Sequence, residues 1–207
     1  MNKKLIIIGA SGHGKVAADI ALKMNKYDEI SFLDDNKAGE KCMQFSVVGK
    51  VKDVYNYIND SDIFVAIGNS SVRKNIMEDL KAKNAEIPIL VHPSAIIGAG
   101  VVIAKGTVVM PGAVINPDSV IGEGCIINTS ASVDHDCNIG DYVHISVDAH
   151  LAGTVKVSEH TWIGIGATVK NNVSIGSNIM IGAGAVVVKD LVESGTYIGV
   201  PAKKMNN

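Results

Sequence analysis

From position 91 to position 187 every sixth residue is Val, Ile or Leu, with no insertion. The series runs Val91, Ile97, Ile103, Val109, Ile115, Ile121, Ile127, Val133, Ile139, Ile145, Leu151, Val157, Ile163, Val169, Ile175, Ile181, Val187. A period of six suits neither a 3.6-residue helix nor a two-residue alternation. It is the repeat of a parallel β-helix, in which the chain turns a corner after each short strand. Two residues before each large aliphatic stands a small or β-branched one, as at Thr107, Ala113, Ser119, Cys125, Ala131, Cys137 and Ala149. Large and small inward registers together fill a narrow prism without voids.

The repeat takes the second half of a 207-residue chain, so two domains are expected, 1–91 and 92–207. An apolar share of 47% with only 4% aromatic residues suits a core of Val, Ile and Ala. The 21 glycines are expected at the corners, where positive φ is often needed. A net charge of -2 without runs of like charge gives no sign of nucleic acid. The apolar run Leu5–Ile8 is too short for a signal peptide, and no stretch has the length of a membrane span. Cys125 and Cys137 fall in inward slots, which argues for reduced thiols and a cytoplasmic protein rather than a disulfide framework.

The first ninety residues or so alternate strand and helix signals. Leu5–Ile8 reads as a buried strand, followed by the turn Gly9-Ala10-Ser11-Gly12-His13-Gly14. A helix follows with Val16, Ala17, Ile20, Ala21 and Met24 on one face. Ile30–Leu33 is a second strand ending at Asp34-Asp35, Val51 to Ile58 a short helix, and Ile63–Ile67 a third strand ending at Gly68-Asn69. A helix with Val72, Ile76 and Leu80 facing inward and a last strand, Ile87–Val91, complete a Rossmann-like α/β layout. His92-Pro93 marks the joint into the β-helix.

Ligands of such sheets sit beyond the C-terminal strand ends, where the glycine turn, Asp34-Asp35 and Gly68-Asn69 converge. The turn spaces its glycines G-x-x-G-x-G, which misses the dinucleotide fingerprint. It matches G-x-x-x-x-G-K, but Val16 stands where a magnesium-binding hydroxyl is required. A phosphate-bearing small molecule at the helix N-terminus fits better than NAD or ATP, with Asp34 or Asp35 taking sugar hydroxyls. A tight turn holding no ligand is the plain alternative.

Of six histidines, His135, His144, His150 and His160 cluster in the repeat, and Asp134 and Asp136 flank His135. Each could be a solvated surface residue. A zinc site like that of gamma-class carbonic anhydrases is the rival functional reading, although no H-x(4)-H pair is present. An imidazole beside a carboxylate is held in one tautomer and made more basic, which favours a general base at His135.

With these residues in view, the chain resembles the nucleotide-sugar N-acetyltransferases of the bacillosamine-pathway type. The resemblance covers nearly the full length. It runs from Gly9–Gly14 through Asp34-Asp35 and Ala66-Ile67-Gly68-Asn69 to Ile127-Asn128-Thr129-Ser130, Val133-Asp134-His135-Asp136-Cys137 and His144, and it closes with Gly199-Val200-Pro201-Ala202-Lys203. It implies a left-handed β-helix, a homotrimer, acetyl-CoA as donor, no metal, and a UDP-linked 4-amino-4,6-dideoxy sugar as acceptor for surface glycan or exopolysaccharide synthesis. His135 is similar to the family's general base, with Asp136 as its acidic neighbour. That neighbour is usually Glu, one methylene longer. His144 and backbone around Ile165 and Ala183 resemble the acetyl-CoA groove, and Ser11, Gly12, His13, Asp34, Asp35 and Gly68 resemble the UDP-sugar contacts. Sialic-acid O-acetyltransferases share the two-domain layout. A non-catalytic binding protein and a zinc hydratase are the readings from other classes.

Overall fold

The structure is a computed structural model that describes residues 3–205. The chain separates into two compact units, one ending at Pro93 and the other starting at Ser94, so the division falls at the His92-Pro93 joint and two residues after the expected 91/92 boundary.

The first unit is a parallel sheet with one antiparallel edge. Its strands are β1 (Lys4–Ile8), β2 (Glu29–Leu33), β3 (Lys41–Cys42), β4 (Phe45–Gly49) and β5 (Ser61–Val65), in the order β3-β4-β2-β1-β5. β1 pairs in parallel with β2 on one side and β5 on the other. The strand order thus reverses at β1, which opens a crevice at its C-terminal end. Two helices, α1 (Gly12–Lys23) and α2 (Ser70–Ala82), start from that same end, after β1 and β5. Apolar runs through β1 and β5 bury Leu5, Ile7, Ile8, Ile63, Phe64 and Val65 almost completely, as expected of a sheet covered on both faces. Gly14 sets the approach of α1 to β1: a Cβ there would lie 1.9 Å from the Gly9 carbonyl oxygen.

Four local expectations need correction. The last strand, expected over Ile87–Val91, covers only Leu90–Val91 and is not part of this sheet. The β3–β4 hairpin was not foreseen, because its turn is Met43-Gln44, with Met43 at φ 55°, and carries none of the Asn-Gly chemistry that announces a hairpin. The inward face of α2 is Arg73, Met77 and Leu80, while Val72 is exposed. On α1, Val16 is exposed and Ala18 buried. Both faces are turned by about one residue from the apolar reading, a rotation that tertiary contacts impose and periodicity alone does not resolve.

The second unit is a three-faced parallel β-helix. From Ile96 to Val187 the strands of the three faces pair residues 18 apart, as in Ile126↔His144, Ser132↔His150 and Asn138↔Lys156, so each coil is three six-residue rungs; only the C-terminal pairings, such as Ile181↔Tyr197, break this spacing. Face 1 carries the strands Val108–Val109, Ile126–Ile127, His144–Ile145, Trp162–Ile163 and Ile179–Ile181. Face 2 carries Ile96–Ile97, Val114–Ile115, Ser132–Val133, His150–Leu151, Thr168–Val169 and Val186–Val187, and face 3 carries Val102–Ile103, Val120–Ile121, Asn138–Ile139, Lys156–Val157 and Ser174–Ile175. The large register from Val109 to Val187 is at most 2% exposed at every sixth position, and the small register from Thr107 to Val173 at most 3%. Ile97 is 38% exposed, because the first coil has no coil before it to close the prism. Cys125 and Cys137 lie in their inward slots as free thiols.

The corners depart from expectation. From Gly100 to Gly184 every sixth residue has positive φ, yet only six of these fifteen positions are glycine. Asp118, Asp136, Asp148, Asn172 and Asn178 supply five more, the residue types that tolerate this region best. From Asp118 onward each corner N–H is fixed by the coil below: Asp136 donates to the Pro117 carbonyl at 3.1 Å and Thr154 to that of His135 at 2.9 Å. Repeated hydrogen bonds of this kind hold side-chain-bearing residues in a conformation usually left to glycine, and they project those side chains outward.

Candidate functional site

In the first unit the expected contacts gather at the crevice. Ser11, Gly12 and His13 form the start of α1, Asp34 and Asp35 follow β2, and Gly68 follows β5. The Ser11 side chain makes no capping bond, and nothing lies within 4 Å of a Cβ placed on Gly12, so the helix end is open on that side. Its outward N–H groups and dipole favour an anion.

Both acidic residues already tie down backbone. Asp34 accepts from the N–H groups of Ala10 at 2.8 Å and Asn36 at 2.9 Å, and Lys37 bonds the Ala10 carbonyl at 2.7 Å. Burial works to raise the Asp34 pKa, yet these N–H groups and the Lys37 charge hold it below the usual carboxylate range. Asp35 accepts from the Val51 N–H at 3.0 Å. Their first job is to hold the glycine turn and the following loop in place.

His13 has its pKa lowered to about 4, first by burial and then by the neighbouring Arg73 guanidinium. Its Nε2 is buried and has no hydrogen-bond partner. Arg73, 1% exposed, donates to the carbonyls of Ile67 at 2.6 Å and Gly68 at 2.9 Å, which fixes the loop after β5. Sequence reasoning missed Arg73. A signal existed: it is the one arginine in 207 residues, followed at helical spacing by the apolar Ile76, Met77 and Leu80.

In the β-helix, His135 and Asp136 occupy the corner between faces 2 and 3. The His135 Nδ1 lies 2.7 Å from Asp136 Oδ2. A carboxylate can only accept, so Nδ1 carries the proton and Nε2 presents its lone pair. Asp134 accepts from the His135 backbone N–H at 2.9 Å and from Asn116 Nδ2 at 2.8 Å, and these bonds lower its own pKa. The hydrogen bond to Asp136, opposed by desolvation and supported by the charges of Asp134 and Asp136, raises the pKa of His135. The result is an exposed imidazole of strengthened basicity with its Nε2 directed away from its carboxylate partner.

The other histidines are held differently. Asn128 Oδ1 accepts from the Thr129 N–H at 2.8 Å, which turns its amide nitrogen toward His144 Nε2 at 3.0 Å. The lone pair of that nitrogen is therefore engaged. The His144 ring also packs against Trp162, with centroids 4.6 Å apart. His150 contacts Ser132 Oγ through Nδ1 at 2.9 Å and Asp148 through Nε2 at 3.4 Å. His160 stacks on Tyr142. Among the described residues, His135 is the histidine of the repeat that pairs a carboxylate on Nδ1 with an unengaged Nε2. Among the same residues no group of three or more His, Cys, Asp or Glu is placed to hold a metal ion.

Ile165 and Ala183 stack one coil apart at the corner between faces 1 and 2, above Val147, and both are exposed. The N–H of Gly166 bonds the Val147 carbonyl and that of Gly184 the Ile165 carbonyl. Within one chain, then, the structure places His144, Ile165 and Ala183 on and beside face 1, while His135 stands at the far edge of face 2. Exposed apolar side chains lie here at Val147, Trp162, Ile165 and Met180, whereas face 3 presents Val102 and Val120 in its first coils and Asn138, Lys156 and Ser174 after them.

Comparison with known proteins bears on the whole chain. The PglD N-terminal domain matches residues 4–80. The UDP-N-acetylbacillosamine N-acetyltransferase of Bacillus subtilis is 38% identical over 111 residues, a match that spans about half of each protein (52% of this chain, 51% of that one). The acetyltransferase domain of PglB from Neisseria gonorrhoeae, also solved with acetyl coenzyme A, superposes with a TM-score of 0.95 at 42% identity over 99% of this chain and 100% of its own. A histidine-to-asparagine variant of perosamine N-acetyltransferase from Caulobacter crescentus, solved with CoA and GDP-perosamine, gives 0.94 at 34% identity, covering 99% of this chain and 97% of its own. Similarity of this extent, across both units, shows that the chain belongs to the acetyl-CoA-dependent sugar N-acetyltransferases of the hexapeptide-repeat superfamily.

Proposed function

We propose that the chain transfers the acetyl group of acetyl-CoA to the 4-amino group of a UDP-linked 4-amino-4,6-dideoxy sugar, in the cytoplasm, for a surface glycan or exopolysaccharide. The observation that carries this reading is the His135–Asp136 pair, an exposed imidazole locked in the tautomer that leaves Nε2 able to take a proton.

In the mechanism, the sugar amine attacks the thioester carbonyl and a C–N bond forms. His135 Nε2 removes the proton that the nitrogen gains in excess. The tetrahedral intermediate then collapses, the C–S bond breaks, and the imidazolium returns its proton to the departing thiolate. Asp136 holds the ring and stabilises the imidazolium between the two transfers. In the first unit, the N–H groups of Gly12 and His13 at the start of α1 receive the diphosphate, beside Ser11 and Gly68. Asp34 and Asp35 keep lone pairs for hydroxyls beyond those spent on backbone.

His144 and the backbone of Ile165 and Ala183 take the coenzyme. The base and these residues lie at opposite edges of face 2, so a groove that joins them is supplied by a second copy, and a homotrimer with three equivalent sites satisfies this by closed symmetry. The exposed apolar side chains on face 1 and its corner supply surface for that packing.

UDP is favoured because the relative named for a UDP-linked sugar is 38% identical over the 111 residues it matches, against 34% for the GDP-perosamine enzyme. That enzyme matches the full chain, so a GDP-linked 4-amino sugar is the second reading. A panel of UDP- and GDP-linked 4-amino-4,6-dideoxy sugars and sialic acid, with acetyl-CoA and detection of released thiol, decides. The UDP-linked amine should give the highest kcat/KM. A preference for GDP selects the second reading, and turnover of hydroxyl acceptors alone overturns N-acetylation.

A further inference from the structure

We infer that Gly153 is a positioning residue: by lacking a side chain, it keeps His135 seated against Asp136. Gly153 lies 18 residues after His135, one coil along the same corner, and is followed by Thr154, whose N–H bonds the His135 carbonyl at 2.9 Å. A Cβ placed on Gly153 would meet His135 Nε2 at 2.5 Å, Cε1 at 2.7 Å and Cδ2 at 3.1 Å. All three nearest atoms belong to one imidazole.

Glycine here is not a backbone requirement. Gly153 lies outside the left-handed region, while the residue after it, Thr154, takes the corner at φ 61°. An alanine can adopt this conformation without strain. Nor can the coils part to admit it. The Gly153 carbonyl accepts from Asn172 at 3.1 Å and the His135 carbonyl from Thr154, so the backbone is pinned above and below. The ring must move instead. It is the end of an exposed side chain and moves at little cost to folding, but movement breaks the 2.7 Å contact of Nδ1 with Asp136 and re-aims Nε2. Gly14 is the opposite case, since a Cβ there meets backbone and threatens the fold.

The inference rests on His135 being the base, and the experiment separates the two claims. In Gly153→Ala, thermal stability should stay close to wild type. With a UDP-linked 4-amino-4,6-dideoxy sugar, kcat should fall on the order of 10²-fold, the loss expected when a reacting group is displaced by about 1 Å. The KM for acetyl-CoA should be little changed. By NMR, the His135 imidazole should titrate above the ordinary value of about 6.5 in the wild type and close to it in the variant, because the carboxylate contact is lost. In a His135→Ala background the alanine at position 153 has room and should reduce the residual rate by less than about threefold, a non-additivity that reports direct coupling. An unshifted His135 titration in Gly153→Ala, or an equal loss in both backgrounds, overturns the positioning role. Near-full activity of His135→Ala overturns the base assignment instead, whatever Gly153→Ala does.

Discussion

Two histidines, one in each unit, are driven in opposite directions by the folds that hold them. His13 sits under the turn of an α/β sheet, where burial and the Arg73 charge lower its pKa to about 4 and keep the ring neutral. His135 stands on an exposed coil corner, where Asp136 and Asp134 raise its pKa. The α/β unit controls charge by excluding water, and its polar groups depend on contacts from several elements. The β-helix leaves its imidazole in solvent and controls it with residues adjacent in sequence or one coil away. The first design suits a neutral, pre-formed cradle, and the second a group that must gain and lose a proton in each turnover.

The sharpest way to break this contrast is to remove the exposed member. His135→Ala should lower kcat by about 10²- to 10⁴-fold, the range for a positioned general base. Folding and coenzyme binding should survive, because the side chain lies outside the inward registers. Isothermal titration with CoA beside the kinetic assay checks both. Retention of more than about a tenth of the wild-type rate would place the base elsewhere. His144 would make a poor substitute, since its Nε2 is already engaged by Asn128.

The same contrast explains what could be read from the sequence. In the β-helix each residue's role follows from its position modulo six, because the ladder between coils fixes the register 18 residues at a time. The inward slots, the free buried thiols and the outward placement of His135 and Asp136 were therefore legible. What periodicity could not give was the corner chemistry. Glycine was expected there, but hydrogen bonds to the preceding coil hold Asp136, Thr154 and His160 in the same left-handed conformation. In the α/β unit the strands β1, β2 and β5 and the crevice were legible from apolar runs and the glycine turn. The inward face of α2 was not, since it is set by Arg73 reaching two carbonyls of the loop after β5. The lowered pKa of His13 comes first from its burial and then from that same arginine, so neither could be foreseen without the packing.

A pH titration of stability tests the buried member. His13 binds a proton near 6.5 when unfolded and near 4 when folded, so the unfolded state holds more protons between these values. Its contribution is fully present above about pH 6.5 and is lost as pH falls toward 4, by up to about 3 kcal/mol. Hydrogen exchange of the α1 amides should show this acid loss, and His13→Gln should flatten it. An identical acid profile in the variant would mean that His13 is not held neutral by the fold.

The smallest expected effect is the most specific to the exposed site. Asp136→Asn should preserve the corner, because asparagine also tolerates the φ of 57° found there. In a buried triad the same change traps the wrong tautomer and costs far more. Here the side chain is 57% exposed, so the amide can turn its oxygen toward Nδ1–H and only the charge is lost. The imidazole becomes a weaker base, and kcat/KM at high pH should fall about tenfold, well short of deletion of the base. The pH dependence has a definite sign. Activity needs neutral His135, and the wild-type ring, with its raised pKa, is neutral only above that value. Without the carboxylate charge the ring stays neutral to lower pH, so the acidic limb should move down and the variant's deficit should narrow as pH falls. A limb that stays in place would belong to another group, and the opposition between the two histidines would lose its link to turnover.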